Sequence, residues 1–294
     1  MITHQQDPTC LPERVVVLGA RGFIGAAVVR HLETMGTHVI SPTSDELDLA
    51  DAVAVENLSA RLQASDAVVM LSALTPDRGR DIGTLMNNLS MMQNLCAAIE
   101  RTGCAHLVYF SSDAVYDSAV SRVTEDTPTS PQDLYGVMHL ARELMARSLA
   151  EVPLLVVRPT LVYGLQDTHN SYGPNRFRRA AEKDGKISLF GGGEETRDHI
   201  HVDDVARLTL RCLLHRTTGT LNVATGVSHS FRDVAEIVAT QFDRKIEIVP
   251  STRANPVTHR HYAVDDLIKA FPDFRSATLD EGIANVHEQM MKTS

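Results

Sequence analysis

Val15-Val16-Val17-Leu18-Gly19-Ala20-Arg21-Gly22-Phe23-Ile24-Gly25-Ala26-Ala27-Val28-Val29-Arg30 is the stretch that decides the fold. An apolar run of strand type meets Gly19, Gly22 and Gly25, and a helical pattern begins at once. Strand, tight turn and helix in this order aim a helix N-terminus at the end of the strand, and each glycine has its own task there. One permits the turn, one lets backbone approach a pyrophosphate, and one lets helix and strand touch. The free N–H groups of the first helical turn and the helix dipole attract the anion. The stretch predicts a dinucleotide-binding turn contacting its ligand through Gly19, Arg21, Gly22, Phe23, Ile24 and Gly25. A glycine-rich βα turn without a ligand is the alternative.

Moving outward, His38-Val39-Ile40-Ser41 reads as the next strand. A dinucleotide fold specific for NAD carries an acid near this strand's end to hold the adenosine ribose. Here Ser41, Pro42, Thr43 and Ser44 stand instead, and Arg21 lies inside the glycine turn. A guanidinium there meets a 2′-phosphate, which tilts the expected cofactor, NAD or NADP, towards NADP. Ala67-Val68-Val69-Met70-Leu71-Ser72-Ala73 is a further buried strand, and Leu71, Ser72 and Ala73 at its end suit a passing cofactor. Helical patterns follow at 51–63, 84–101 and 135–150, with strands at 107–112 and 153–158. This alternation predicts a doubly wound parallel α/β sheet with helices on both faces.

The pattern changes at 164–196, which is rich in Gly, Asn and Arg, with a short helical piece at 175–183. Arg176, Arg178 and Arg179 start that helix, two of them expected in solvent. Residues 200–214 read as helix, although His199 and His201 alternate as in a strand; 221–224 reads as strand and 230–242 as an amphipathic helix. The expected organisation is a loose leader over 1–13, a dinucleotide-binding domain over 14–163 joined by about 197–224, and a smaller substrate lobe from 164–196 and 225–294.

Composition removes several classes. The 294 residues carry a formal charge of −9, without the basic face a nucleic-acid binder needs. No apolar run reaches the length of a membrane span, and the N-terminus has no charged-then-apolar signal pattern. Cys10, Cys96, Cys104 and Cys212 lack C-x-x-C spacing and read as reduced, buried thiols of a cytoplasmic protein. The 13 histidines form no metal-ligand pattern, so no metal is expected.

The chemistry centres on Ser111-Ser112-Asp113-Ala114-Val115-Tyr116-Asp117 and on Tyr135. A serine at the carboxyl end of a central strand points into the crevice where doubly wound sheets bind ligands. A tyrosine facing the same crevice exchanges a proton with a substrate hydroxyl while hydride moves to or from the cofactor. Its ordinary pKa is about 10, so it needs help to ionise near neutrality.

These residues resemble the extended short-chain dehydrogenases/reductases, the NAD-dependent epimerase/dehydratase family of sugar-nucleotide enzymes with a Rossmann fold. The resemblance rests on the glycine turn, Ser111-Ser112 with Val115-Tyr116, and Tyr135 opening a helix. It continues through Arg158-Pro159, Val162-Tyr163-Gly164, Leu189-Phe190-Gly191-Gly192-Gly193 and Arg197-Asp198-His199-Ile200-His201-Val202-Asp203-Asp204. It implies that Ser112 and Tyr135 are catalytic, that Asn88 supports the cofactor site, that Arg197 contacts a nucleotide diphosphate, and that the substrate is a nucleotide sugar. It also implies a homodimer built from helices 84–101 and 135–150. Arg260, between His259 and His261, is a second candidate anion contact.

The sequence departs from the family at His139, where the family carries a lysine four residues after the tyrosine. Positions 135 and 139 share a helix face. A histidine still donates to the cofactor ribose but supplies charge only when protonated. A solvated or ribose-contacting histidine with no role in proton transfer is the alternative. Asp113-Ala114 replaces the Asp-Glu pair of dehydratases, which argues against elimination and leaves Asp113 as a catalytic, substrate-binding or capping group. Epimerase and 4-keto-sugar reductase both remain open, as does a cofactor-binding sensor without turnover.

Overall fold

The computed structural model describes residues 2–6 and 9–293. In chain order the elements are β1 (Thr3–His4), β2 (Arg14–Leu18), α1 (Phe23–Thr34), β3 (His38–Ile40), α2 (Ala54–Ser59), β4 (Ala67–Met70), α3 (Ile82–Thr102) and β5 (His106–Phe110). After a single turn at Asp113–Val115 come β6 (Arg122–Val123), α4 (Leu134–Arg147), β7 (Leu154–Pro159), β8 (Leu161–Tyr163), α5 (Pro174–Asp184), β9 (Lys186–Phe190) and β10 (Thr196–His201). The chain closes with α6 (Val202–Leu214), β11 (Thr217–Val223), β12 (Ser228–Ser230), α7 (Phe231–Ala239), β13 (Glu247–Ser251), β14 (His261–Tyr262), α8 (Asp265–Ala270) and α9 (Leu279–Thr293).

Seven strands form one sheet in the order β1-β11-β7-β5-β4-β2-β3, and every pairing in it except β1 with β11 is parallel. Covered on both faces, its central strands β2, β4 and β5 read as apolar runs rather than alternating ones. Val15 and Val17 of β2 point into a cluster with Ala27, Val28 and Leu32 of α1 and Val205 and Leu208 of α6. Val16 and Leu18 point the other way, towards Leu58 of α2 and Met92, Leu95 and Ile99 of α3. From β2 the chain steps outward to β3 and then back past β2 to β4. That reversal opens a crevice at the carboxyl ends of β2 and β4.

A second core joins Phe177 and Ala181 of α5, Ile187 and Leu189 of β9, Val234 and Val238 of α7, and Ile283 and Val286 of α9. The pair β6–β14 ties residues 261–262 to the segment following β5.

Several expectations are corrected. The leader is tied down at Thr3–His4, which pairs antiparallel with Thr217–Thr218, and the His4 ring bonds Thr217 Oγ1 at 2.9 Å. The helix expected from residue 200 begins at Val202, because Thr196–His201 pairs with β8 and β12. Cys10 is exposed, whereas Cys96, Cys104 and Cys212 are buried. Arg178 is buried and Arg179 donates to Asn170 at 3.0 Å, leaving Arg176 as the exposed member of the three. No helix among the described residues is long and apolar enough to cross a membrane.

Candidate active site

The glycine turn is built by close approach. Gly19 has φ +93°, and a Cβ there would lie 2.6 Å from the Ser72 amide nitrogen. A Cβ on Gly25 would lie 2.1 Å from the Gly19 carbonyl oxygen. Gly22 caps α1 without a side chain, and the first turn of α1 carries no acid, so its N-terminal field is left unneutralised. Phe23 turns its ring into the core against Gly164 and Val202, so Phe23 has only its backbone N–H to offer a ligand.

From this turn a cleft runs along Ser72 to Pro42, Thr43 and Ser44 and then to Leu47, Asp48 and Leu49, with exposed Arg21 at its rim. Leu71 N–H donates to the Leu18 carbonyl at 2.8 Å and prolongs the β2–β4 ladder, which sets Ser72 and half-buried Ala73 at the crevice floor. The 47–49 segment was not recognised as cleft lining from sequence; the signal was the spacing of Leu47 and Leu49, both buried, about the outward Asp48.

A second hollow is lined by Leu74, Arg80, Thr84, Asn88, Asp133, Tyr135 and Met138. Asn88 is buried, and its amide is committed to the chain: Oδ1 accepts from Leu74 N–H at 2.8 Å, and Nδ2 donates to the Leu74 and Thr84 carbonyls. It therefore shapes the loop after β4.

Ser112 follows β5, and its Oγ accepts from Ala114 N–H at 3.2 Å, which winds the next turn. Helix α4 starts at an Asp133 cap that accepts from Gly136 N–H at 2.8 Å. A Cβ on Gly136 would come 2.3 Å from the Ala114 carbonyl oxygen, so glycine lets α4 press against the Ser112 turn and brings Tyr135 to Ser112. Burial pushes the Tyr135 phenol up to about 12; the Ser112 hydroxyl opposes this, Asp113 and Asp133 add to it, and Arg142 counters it. At neutral pH Tyr135 is a protonated phenol.

His139 is buried, so it is not the solvated residue of the alternative reading. Its Nδ1 meets the Tyr109 hydroxyl at 2.9 Å, and its ring stands edge-on to Tyr135 with centroids 4.6 Å apart. Burial, aided by the Arg142 charge, holds the imidazole well below its ordinary value, so it is neutral. Its Nε2 has no hydrogen-bond partner among the described residues.

Asp113 Oδ2 accepts from the Tyr262 hydroxyl at 2.7 Å and lies 3.6 Å from Arg260. Arg260 donates to the Asp113 and Asp117 carbonyls, so the two residues brace the turn behind Ser112. Arg197 donates to the Thr258 carbonyl and hydroxyl at 2.7 Å each, with Glu195 at 3.7 Å.

A buried network beneath the site escaped the sequence reading. Glu143 accepts two hydrogen bonds from Arg158 at 2.8 and 2.6 Å and a third from Ser111 Oγ at 2.6 Å. Arg158 also donates to the Tyr116 hydroxyl, which donates to Asn222. The available signal was helical phase: Arg142 and Glu143 fall on the face of α4 that carries His139.

The NAD dependent epimerase/dehydratase family model matches residues 15–224. GDP-L-fucose synthase of Escherichia coli is 22% identical over 314 residues, covering 95% of this chain and 97% of that protein. A GDP-L-fucose synthetase structure from Naegleria fowleri superposes with TM-score 0.87 at 17% identity, covering 99% of this chain and 97% of that one. The structure of MoeE5 in complex with UDP-glucose and NAD gives TM-score 0.78 at 26% identity, covering 95% and 99%. With its crevice, glycine turn and Ser112–Tyr135 pair in the arrangement described, this chain belongs to the NAD dependent epimerase/dehydratase family.

Proposed function

We propose that the protein is a nicotinamide-dependent oxidoreductase or epimerase acting on a nucleotide-activated sugar, with Tyr135 as acid/base and Ser112 orienting the reacting oxygen. The observation that carries this reading is the pressing of α4 onto the Ser112 turn through Gly136, which sets the Tyr135 phenol beside the Ser112 hydroxyl at the crevice. The similarity to a fucose synthase and to a protein that binds UDP-glucose and NAD supports the substrate class.

The residues fit a dinucleotide. The turn at 19–25, where a Cβ is excluded and no acid opposes an anion, would hold the pyrophosphate. Residues 42–44 and 47–49 would line the adenosine. Unpartnered Nε2 of His139 would serve the nicotinamide ribose. When bound, the dinucleotide supplies or accepts hydride. Exposed Arg21, with no carboxylate directly after β3, favours NADP over NAD.

Being protonated at neutrality, Tyr135 donates its proton to the substrate oxygen in the reducing direction and recovers it in the oxidising one. Ser112 hydrogen-bonds the same oxygen. Arg197, with 23% of its side chain exposed, is the candidate contact to the nucleotide diphosphate, whereas Arg260 acts through the Asp113 turn. Exposed Met86 on α3 and Val137 and Leu144 on α4 suit a second copy of the chain, and the buried free thiols suit a reducing cytoplasm.

The test incubates purified protein with NADPH or NADH and a panel of nucleotide sugars and nucleotide 4-keto sugars, following nicotinamide absorbance and analysing products. Tyr135→Phe is expected to lower turnover by roughly 10²- to 10⁴-fold. Full turnover in that variant overturns the assignment.

A further inference from the structure

A buried cation in α4 has no counter-charge. Arg142 is 1% exposed, and no carboxylate among the described residues lies within ion-pair distance of it. Its Nη2 donates to the Ser72 carbonyl at 2.9 Å, its Nη1 reaches the Met138 sulfur at 3.8 Å, and its Nε has no partner among the described residues. The neighbouring carboxylate, Glu143, is engaged by Arg158 and Ser111. Removing a guanidinium from water without a counter-ion is costly, and arginine does not escape the cost by losing its proton. A group kept in that state needs something nearby that benefits from it.

That neighbour is Tyr135. Positions 135, 139 and 142 lie on one face of α4. The Arg142 guanidinium sits 5.3 Å from the centre of the Tyr109 ring. The Tyr109 hydroxyl holds His139, and the His139 ring meets the ring of Tyr135 edge-on. Tyr135 faces Ser112 and Asp113 from the turn after β5, Asp133 from the start of α4, and Arg142 from its own helix. The two carboxylates oppose a phenolate. The Ser112 hydroxyl favours one by hydrogen bonding, and Arg142 is the one charge among these that does. It in turn faces Tyr109 from β5, Cys96 from α3, and Tyr135.

We infer that Arg142 is the cation that stabilises the Tyr135 phenolate, one helical turn beyond the position where the family carries its lysine. His139 keeps the ribose contact, and the charge sits behind it. The inference rests on the reading of Tyr135 as the acid/base group. Arg142 is a positioning residue in this scheme, acting on the phenol through space.

The experiment places 3,5-difluorotyrosine at position 135 and follows its ionisation by fluorine NMR, which needs neither cofactor nor turnover. Arg142→Met is expected to raise the midpoint by roughly one to three pH units, the effect of losing one nearby charge. Arg142→Lys is expected to leave it within about half a unit, and Arg142→Met with His139→Lys to bring it back down. A midpoint that does not rise in folded Arg142→Met overturns the inference. Arg142→Gln, which retains a donor for the Ser72 carbonyl, reads the same quantity if the methionine variant does not fold. Failure of the acid/base reading shows separately, as full turnover in Tyr135→Phe.

Discussion

The Tyr109 hydroxyl and His139 Nδ1 are 2.9 Å apart in the buried space between β5 and α4. Burial pushes the Tyr109 phenol far above its ordinary value, so it keeps its proton and donates it to Nδ1. The imidazole is thereby held with hydrogen on Nε2, the atom without a partner. Tyr109→Phe frees the ring to take the other tautomer. Dinucleotide affinity is expected to fall about fivefold to tenfold, the worth of one neutral hydrogen bond. Fluorescence titration with reduced dinucleotide at neutral pH, where burial keeps the His139 ring uncharged, checks this.

Arg21 stands at the rim of the cleft that Thr43 and Ser44 also line. Arg21→Ser is expected to weaken NADPH binding by roughly 10- to 150-fold, the value of a charge-assisted hydrogen bond of about 1.5–3 kcal/mol, and to leave NADH binding nearly unchanged. Equal losses for the two cofactors mean that Arg21 does not read the 2′-phosphate.

Gly25→Ala tests the turn itself. The added methyl collides with the Gly19 carbonyl, which is backbone and has no rotamer to yield. Dinucleotide binding is expected to fall below detection in calorimetry while the second core, built from α5, β9, α7 and α9, stays intact. Retained binding with unchanged affinity rules out a close-packed phosphate turn.

The buried Glu143–Arg158 pair predicts an asymmetric response. Glu143→Ala leaves the Arg158 guanidinium buried without its partner and is expected to cost about 3–5 kcal/mol in urea unfolding. Replacing both residues with methionine is expected to cost less than the single change. If the double variant is the weaker, the pair contributes more than its replacement by apolar volume.

His199 sits against the Phe231 ring with both nitrogens lacking well-formed hydrogen bonds, and burial pushes it down to about 3. His106 is pushed down to about 4 by burial. A base whose folded pKa is depressed binds fewer protons folded than unfolded, so stability drops as pH falls below about 6.5 towards the folded values. Each such histidine contributes a slope of about 1.4 kcal/mol per pH unit there. His199→Phe keeps the aromatic contact, removes one titration and is expected to stabilise the protein at about pH 5 relative to wild type, read by urea unfolding at pH 5, 6 and 7. An unchanged slope means that His199 is already protonated in the fold.

The sheet was legible in the sequence because strands buried on both faces are apolar without interruption. Val15–Leu18 and Ala67–Met70 could be read as strands for that reason. The glycine turn was legible because close backbone approach admits one residue type. Ser112 and Tyr135 were legible as candidates by position, one after a strand and one opening a helix. The state of His139 was not legible: residue identity shows a titratable ring, whereas its charge depends on burial against Tyr109 and Arg142, groups from different elements. Ile200 and His201 read as the start of a helix because the short run carries no period of its own, and the strand Thr196–His201 is set by partners distant in sequence, Leu161–Tyr163 of β8 and Ser228–Ser230 of β12. Arg260 looked like a free cation until the fold placed the Asp113 and Asp117 carbonyls in front of it.

The pairing of Thr3–His4 with β11 bears on how the protein can be handled. An exposed strand edge is a template for other chains. The first residues cover the outer edge of β11, and His4 also bonds the Ala270 carbonyl at the end of α8. Trimming residues 1–13 as dispensable would uncover that edge, so the shortened protein should precipitate or self-associate although Ser112 and Tyr135 are untouched. A purification tag belongs at the other terminus.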